Sequence, residues 1–254
     1  MKKIFITGST QGLGYEAGLQ LLKAGHQVIF HARSEITAKE ASAHLKDAVF
    51  VIGDVSTLAG MKSVAEQVNQ LGTMDAIIHN VGVYTPESFT ADGLRTLFAV
   101  NVLAEYVLSV LINKPERMIF LCSGMHLDGK NNLEDLQWKN HQWNSTQAYS
   151  DSKLYIMMLT KWFAKKWPSM LVNAVDPGWV PTRMGGTSAP DDLFSGAETQ
   201  AWLAVSNEAS AKVSGKYFYH KAQKSYNPLA DNQVTQDNLV QYLVEISGIK
   251  SQGI

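Results

Sequence analysis

Tyr149 and Lys153 are the two side chains in this sequence whose types and spacing best suit proton transfer. They stand four positions apart in the run T-Q-A-Y-S-D-S-K at 146–153, so in a helix they share one face, one turn apart. An ammonium beside a phenol favours the phenolate, which makes the phenol a better proton donor and acceptor near neutral pH. Tyr217 and Lys221 have the same spacing by chance, so the pair needs support from the elements around it.

Short apolar runs alternate with helical patterns along the whole chain. Strands are predicted at 4–6, 28–30, 49–52, 76–78, 118–121, 172–175 and 217–219, and the later helices at about 36–45, 61–68, 94–112, 147–167 and 196–207. This alternation predicts βαβ units, and near-continuous apolar strands indicate a sheet covered on both faces. We therefore predict an α/β fold, a Rossmann-type doubly wound parallel sheet of about seven strands in three αβα layers. Residues 1–254 are expected to form one domain.

Composition and charge argue against several classes of protein. The 254 residues include 22 Lys plus Arg and 23 Asp plus Glu, a net charge of −1, which disfavours a dedicated nucleic-acid binder. Cys122 is the only cysteine, so we expect no disulfides and a cytoplasmic location. The N-terminus leaves no room for a signal peptide, and no apolar run has membrane-spanning length. His126 and His141 lack a ligand cluster, so no metal is predicted.

A glycine-rich turn follows the first strand. Gly8, Gly12 and Gly14 in T-G-S-T-Q-G-L-G would let the backbone approach a pyrophosphate at the start of a helix, although an ordinary glycine turn is the alternative. Arg33 lies 19 residues after Gly14, at the end of the second strand, with no carboxylate before Glu35. An Arg there accommodates the 2′-phosphate of NADP, whereas NAD enzymes place an acidic residue. We predict NADP(H) as the preferred cofactor, with NAD(H) possible; a solvated surface Arg is the alternative.

Polar residues follow the next strands as well. Asp54 could accept a hydrogen bond from an adenine amino group or begin a helix, and the two interpretations are nearly even. Asn80 could tie neighbouring loops together, and Gly82 would let the backbone pass close to a cofactor; a simple turn is the alternative. Asn101, in an apolar helical stretch, needs buried partners, as a structural hydrogen-bonder or part of a polar relay. Ser123 could orient a substrate carbonyl or cap a turn.

Two more features complete the series of motifs. Cys122, just before Ser123, is expected in the core. Pro177, Gly178 and Thr182 follow the sixth strand, where a loop could wrap the nicotinamide end and begin a mobile lid, or simply form a proline-glycine turn.

These motifs in this order resemble the short-chain dehydrogenase/reductase family, single-domain branch, over about residues 2–220. The runs C-S-G-M-H, L-E-D-L-Q-W, A-Y-S-D-S-K and S-G-K-Y-F are similar to retinol dehydrogenase-like and carbonyl reductase-like members. The resemblance implies that Tyr149 is the general acid in reduction and the base in oxidation. It implies that Lys153 binds ribose hydroxyls and favours the phenolate, that Ser123 holds the substrate oxygen, and that Asn101 positions a relay water.

The resemblance also implies a set of cofactor contacts beside Tyr149 and Lys153. The expected set is Gly8, Ser9, Thr10, Gly12, Leu13, Gly14, Arg33, Asp54, Val55, Asn80, Gly82, Pro177, Gly178, Val180 and Thr182. Two departures from the family pattern are Val81, where Ala is usual, and Cys122, where a second Ser is usual. The first puts local packing in doubt, and the second leaves Ser123 in the catalytic position. Since membrane-bound retinol enzymes carry an N-terminal anchor that this chain lacks, retinoid activity does not follow.

The 26-residue gap from Ser123 to Tyr149 is longer than in plain members of the family. We call the extra segment, residues 127–145, the insertion. We expect it to shape the substrate pocket, and it could block the usual four-helix dimer interface; the alternative is a surface loop anchored by Trp138 and Trp143. A monomer or homodimer is expected. Trp143 and Trp179 are expected in the substrate pocket and hint at an apolar substrate.

The predicted function is an NADP-dependent oxidoreductase that transfers a hydride between nicotinamide and a small-molecule carbonyl or alcohol. The alternative from another class is a non-catalytic NADP(H)-binding redox sensor or regulator. Such proteins usually lose the Tyr or Lys, and both are present here. A sugar-nucleotide epimerase would need a larger substrate domain than the residues after Gly178 allow.

Overall fold

Alternate side chains of each short apolar strand pack into opposite faces of one sheet. In the first strand, Ile4 and Ile6 join one buried apolar cluster, and Phe5 joins the other. The computed structural model describes residues 1–45 and 47–251. Because both faces bury apolar side chains, the strands form the middle layer between two layers of helices, as their near-continuous hydrophobicity predicts.

Within residues 1–45 and 47–251, the sheet has eight strands. They are β1 (Lys3–Ile6), β2 (Gln27–Ala32), β3 (Val49–Ile52), β4 (Ala76–His79), β5 (Arg117–Leu121), β6 (Leu171–Asp176), β7 (Lys216–Tyr219) and β8 (Ala222–Lys224). Their order is β3-β2-β1-β4-β5-β6-β7-β8, with β1 to β7 parallel and β8 antiparallel to β7. The doubly wound parallel sheet is confirmed. The order reverses between β1 and β4, and ligands of such sheets bind outside the carboxyl ends of the strands at this switch point.

The eighth strand was not predicted. It follows β7 through a two-residue turn at His220 and Lys221, whose φ angles are 47° and 61°. Two-residue hairpins need positive φ values, which Asn-Gly signals best, so His-Lys gave no signal. Lys221 binds Glu198, and the Tyr217 hydroxyl donates to Asp176 Oδ2 at 2.9 Å. The second Tyr–Lys pair is therefore split between different partners.

Eight α-helices lie among the described residues. They are α1 (Gly12–Lys23), α2 (Glu35–Ser42), α3 (Leu58–Gln70), α4 (Thr96–Phe98), α5 (Ala104–Leu111), α6 (Ser145–Lys166), α7 (Leu193–Val205) and α8 (Gln233–Ser247). The predicted helix at 94–112 begins instead at Thr96 and contains a π-helical turn, Ala99–Leu103, between α4 and α5. Helices α1 and α7 pack together on one face of the sheet, whereas α3, α5 and α6 cover the other.

Helix α8, which was not predicted, covers α6 and the end of α5. Its residues Leu239 and Leu243 are buried in the same cluster as Phe163 of α6. The Trp162 indole donates to Asp237 Oδ1 at 3.0 Å, and beyond α8 the carbonyl of Ile249 accepts from the Tyr106 hydroxyl at 3.0 Å. The C-terminal helix therefore packs on α6, the helix that carries Tyr149 and Lys153.

Candidate functional site

The glycine-rich turn between β1 and α1 can be built only with glycine at its key positions. Gly8 and Gly12 have φ angles of +59° and +60°, a region that residues with a Cβ rarely adopt. At Gly14 an added Cβ would lie 2.4 Å from Asn80 Nδ2. Helix α1 begins here with no side-chain cap from Gln11 and no acidic residue in its first turn. Its first N–H groups are thus suited to an anion such as a pyrophosphate.

Asn80 joins the ends of β1 and β4 across the switch point. Its Nδ2 donates to Thr7 O at 2.9 Å and to Gly8 O at 3.0 Å. In return, Thr7 Oγ1 accepts from the backbone N–H groups of Asn80 and Val81 at 2.9 and 3.0 Å. The predicted role of Asn80 in tying neighbouring loops together is confirmed. Val81 lies against Gly8 and packs on the core, so its replacement of Ala has a local effect.

His31 is a support of the glycine turn that the sequence analysis missed. The Gly8 N–H donates to His31 Nδ1 at 2.9 Å, and Nε2 lies 2.9 Å from Gly53 O, so Nε2 carries the proton. Burial lowers the pKa of His31, which keeps the ring neutral. The Ser9 hydroxyl donates to Ile6 O and accepts from the His31 N–H. Its side chain thus points into the protein, and only its backbone can face a phosphate.

The residues at the ends of β2 and β3 have distinct environments. Arg33 is exposed, and Asp54 is exposed with its Oδ1 accepting from Ser56 N at 2.9 Å. Asp54 therefore shapes the turn before α3, whose cap is Thr57 rather than Ser56. Val55 is buried in the core. A contact of Asp54 or Val55 with an adenine stays a prediction.

Lys153 and Asn101 approach Gly82 from two sides. Lys153 is only 4% exposed, and its Nζ donates to Leu121 O at 2.8 Å. The Asn101 amide, in the π-helical turn, accepts from Val83 N at 2.8 Å and donates to Val83 O at 2.9 Å. A Cβ added to Gly82 would lie 3.6 Å from Lys153 Nζ and 3.7 Å from Asn101 Oδ1. The space that glycine leaves here is lined by an ammonium and an amide, which suits ribose hydroxyls.

Tyr149 lies one helical turn before Lys153, as predicted. Its ring centroid is 5.6 Å from Lys153 Nζ, and its hydroxyl donates to Met184 Sδ at 4.0 Å. The Ser123 hydroxyl, after β5, accepts from Met125 N at 3.3 Å, so its own proton stays available for another acceptor. Met125 packs against the cluster that contains Tyr149. Ser123 thus acts as a turn cap and can still donate to a substrate oxygen.

The loop after β6 folds back over the glycine turn. Gly178 has a φ of +80°, and a Cβ there would overlap Asp191, whose Oδ2 accepts from Trp179 N. Thr182 Cγ2 would be 3.3 Å from a Cβ on Gly12. Trp179 is exposed, and its indole donates to Gly185 O at 2.8 Å. The loop is thus placed beside the cofactor region, and Trp179 braces it; a contact of Trp179 with substrate stays a prediction.

Val180 and Leu13 meet where this loop enters α7. A Cβ added at Gly196 would lie 2.7 Å from Val180 Cγ1 and 3.3 Å from Leu13 Cδ2. The loop after β6 and the first turn of α1 therefore share one packed junction with the start of α7.

Arg95 anchors the insertion against the loop after β4. Its Nε donates to Gln137 O at 3.1 Å, one terminal nitrogen donates to Trp138 O at 3.0 Å, and the other binds Glu87. The guanidinium also lies 5.2 Å from the Trp143 ring. Trp138, held in this way, has a φ of +54°, which is unfavourable for a bulky residue.

Both tryptophans of the insertion pack beside the first turns of α6. Trp138 and Trp143 lie against Leu97, Ala148 and Tyr149. The insertion therefore lies beside Tyr149, whereas its role in shaping a substrate pocket and a contact of Trp143 with substrate stay predictions.

A buried His79–Glu105 pair lies behind Lys153. His79 Nδ1 is 3.1 Å from Glu105 Oε2, and His79 Nε2 is 3.0 Å from the Ser109 hydroxyl, which donates to Glu105 O. Burial raises the pKa of Glu105 well above its usual range, with nearby Lys153 opposing, and burial lowers the pKa of His79 to about 3. The distance would fit an ion pair, but both pKa directions indicate two neutral groups that share a proton.

Two classes of site are not found in the described part of the chain. Residues 1–45 and 47–251 contain no group of three or more His, Cys, Asp or Glu side chains that could hold a metal ion. Cys122 is buried, as expected for a core residue. None of the helices within these ranges has the length and apolar character needed to cross a bilayer.

Residues 2–119 match the sequence profile of a family described as short chain dehydrogenase. The short-chain dehydrogenase chyC of Penicillium rubens is 37% identical to this chain. The alignment covers 98% of this chain and 99% of chyC. Human retinol dehydrogenase 13 is 28% identical, covering 100% of this chain and 86% of the relative.

Solved structures show the same fold at lower sequence identity. Salutaridine reductase from Papaver somniferum has a TM-score of 0.70 at 22% identity, covering 86% of this chain and 99% of that structure. A blue fluorescent protein from a metagenomic library, in complex with NADPH, has a TM-score of 0.68 at 20% identity, covering 86% and 95%. At these identities the structures support the fold alone.

We predict that Glu105→Gln becomes relatively more stable than the wild type as the pH rises. The folded protein holds the Glu105 proton more tightly than the unfolded chain, in which the pKa is near 4.5. The contribution of Glu105 to folding stability is therefore fully present below about pH 4.5. It is lost as the pH rises through the raised pKa of the folded protein. Gln does not titrate. Thermal unfolding at pH 6 and pH 9 should show the Tm difference shifting in favour of the variant, by roughly 2–4 °C per kcal/mol.

The exposed Glu40→Gln serves as the control and should show no such trend. An equal Tm difference for Glu105→Gln at both pH values would mean that Glu105 is already ionised in the folded protein.

Proposed function

This chain belongs to the short-chain dehydrogenase/reductase family and is an oxidoreductase, and we propose that Tyr149 serves it as general acid and base with NADP(H) as preferred cofactor. The reaction is hydride transfer between the nicotinamide and a carbonyl or alcohol carbon. The observation that carries the proposal is the placement of Tyr149 and Lys153 on α6, beside Gly82 and at the same sheet edge as the uncapped start of α1.

In the reducing direction, Tyr149 donates its hydroxyl proton to the carbonyl oxygen of the substrate. NADPH, when bound, supplies the hydride that reaches the carbonyl carbon. Ser123 donates a second hydrogen bond to the same oxygen and stabilises the negative charge that develops there. In the oxidising direction, the tyrosinate accepts the proton of the alcohol, so the same residue serves both directions.

Lys153 holds the ribose and supports the phenolate of Tyr149. Its ammonium is buried, fixed by Leu121 O, and lines the space beside Gly82. Asn101 Oδ1 lies on the other side of that space and keeps a second lone pair after accepting from Val83 N. This lone pair can hold a water that returns protons to Lys153 after each turnover.

The non-catalytic sensor is supported less well. A binding protein needs the glycine turn and Asn80, but it does not need a free hydroxyl on Ser123 or a Tyr–Lys pair on one face of α6. Because all of these are retained, turnover is the better account of the site.

NADP(H) is favoured because Arg33 is the first charged side chain after β2. Arg33 is exposed, and the first carboxylate after β2 is that of Glu35, two residues later. Ser34 is occupied as the cap of α2, where it accepts from Thr37 N. Arg33 is therefore the group best placed to pair with a 2′-phosphate.

Tyr149→Phe is expected to lower kcat by about 10²–10⁴-fold and to leave the Kd for NADPH nearly unchanged, because it removes the proton donor and keeps the ring. Oxidation of NADPH at 340 nm in the presence of a carbonyl panel measures the first quantity, and quenching of protein fluorescence measures the second. Tyr226→Phe is the matched control. The Tyr226 hydroxyl accepts from Lys161 Nζ at 2.9 Å, and Lys161 lies on α6 about three turns beyond Tyr149. Near-normal kcat in Tyr149→Phe would assign the proton to another group.

Arg33→Ala is expected to weaken NADPH binding by roughly 10- to 100-fold, because it removes a charge-assisted hydrogen bond, while NADH binding stays within a factor of two or so. Lys39→Ala, which removes an exposed cation from the following helix, is the control and should leave both unchanged. An unaltered ratio of the two Kd values in Arg33→Ala would contradict the assignment of the 2′-phosphate to Arg33.

A further inference from the structure

We propose that Tyr84 determines substrate specificity and that the site takes neutral, planar carbonyl compounds conjugated to a ring, such as aryl ketones. This inference rests on the proposed function, because it places the substrate carbonyl at the Tyr149 hydroxyl. It goes further by identifying the Tyr84 ring as the surface against which the rest of the substrate packs.

Tyr84 is an aromatic side chain fixed at the reacting hydroxyl and still open to solvent. Its ring meets the Tyr149 ring edge to face, with centroids 5.1 Å apart and an interplanar angle of 79°. Its hydroxyl is bonded to Thr146 Oγ1 at 2.8 Å, at the start of the catalytic helix. The residue nevertheless remains 44% exposed. A large ring held at two points with free surface beside Tyr149 is suited to stacking on a flat ligand.

The walls on both sides of Tyr149 are rigid. Tyr84 lies on the loop that follows β4, and Arg95, at the end of that loop, binds the carbonyls of Gln137 and Trp138 in the insertion. The Cζ atom of Arg95 lies 4.4 Å from the ring centroid of Phe89 and 5.2 Å from that of Trp143. The two walls therefore cannot separate without breaking the contacts of a buried cation.

Met184 forms the adaptable side of the site. Its sulfur accepts from the Tyr149 hydroxyl at 4.0 Å, so a substrate oxygen must displace it to reach that hydroxyl. Methionine is flexible and makes favourable contacts with ring edges. A substrate that reaches the Tyr149 hydroxyl thus replaces one weak hydrogen bond to Met184 and can pack its ring on the thioether and on Tyr84.

The surroundings of Tyr149 are poorly suited to a charged or highly polar substrate. The apolar side chains packed with Tyr149 are Leu97, Met125, Trp138, Trp143 and Ala148, with the Tyr84 ring in edge-to-face contact and the Met184 thioether at the Tyr149 hydroxyl. The cation beside Tyr149, Lys153, is buried and faces Gly82 and Leu121. A substrate carboxylate or phosphate would lose water against this apolar surface, whereas a neutral ring would not.

Three ketones of similar size separate the possibilities in steady-state assays with NADPH. Acetophenone is planar and neutral, cyclohexyl methyl ketone is neutral and saturated, and phenylglyoxylate is planar and charged. In Tyr84→Leu, kcat/KM for acetophenone should fall roughly 3- to 10-fold, as expected for loss of an aromatic pair, whereas that for cyclohexyl methyl ketone should stay unchanged. Tyr84→Phe keeps the ring and should retain most of the preference. The Kd for NADPH should be the same in all three proteins.

Met184→Ala is a second variant, which removes the thioether at the Tyr149 hydroxyl. It should raise KM for acetophenone more than for the saturated ketone. Equal losses for both neutral ketones in Tyr84→Leu, or wild-type preference for phenylglyoxylate, would overturn the inference and leave the proposed function intact. The same holds if the wild type turns over other carbonyl compounds but none of these three. Near-normal kcat in Tyr149→Phe would instead overturn the proposed function.

Discussion

The burial of one ammonium group, that of Lys153, constrains the arrangement of the whole site. A charge that is 4% exposed must have close polar partners, and Lys153 finds one in Leu121 O, at the carboxyl end of β5. This hydrogen bond fixes α6 to the centre of the sheet and therefore places Tyr149, one turn earlier, at the same edge. Glycine at position 82 leaves open the space between Lys153 and Asn101, where a Cβ would lie in van der Waals contact with both side chains.

The same buried charge accounts for the features around it. Asn101 satisfies both ends of its amide on Val83, which holds the loop after β4 close to the lysine. The π-helical turn puts Asn101 in that position, and such turns often occur at functional sites. Farther back, burial raises the pKa of Glu105 and lowers that of His79, so both directions favour a neutral pair behind Lys153.

The sequence predicted the parts of the molecule that depend on local pattern. Continuous apolar strands gave the sheet, glycine after β1 gave the phosphate turn, and the four-residue spacing gave the Tyr149–Lys153 face. What it missed depends on tertiary contact. His31 supports the glycine turn through its ring, yet in sequence it is one more residue of a strand. Arg95 and Tyr84 gave no signal, because their roles arise only when the loop after β4 meets the insertion and α6.

Two elements were missed for a different reason. The apolar residues of helix α8 pack on α6. The sequence of α8 is otherwise polar, and its hydrophobic periodicity is too weak to predict a helix by itself. Strand β8 is three exposed residues whose pairing with β7 depends on a turn without glycine. The insertion was located by its length and its two tryptophans, Trp138 and Trp143, but its hydrogen bonds from Arg95 could not be predicted. Trp138 adopts a positive φ in a turn where its N–H donates to Asp135 O and its carbonyl accepts from Arg95.

The central claim is that this site transfers a hydride from the nicotinamide to a carbonyl carbon while Tyr149 supplies the proton. The most direct measurement uses NADPH deuterated at C4 and a ketone substrate in ordinary water, with the alcohol product examined by mass spectrometry and NMR. The account predicts one deuterium on the carbinol carbon when the label occupies the transferred position, and none when it occupies the other. Alcohol that carries only solvent hydrogen at that carbon with either label would contradict it.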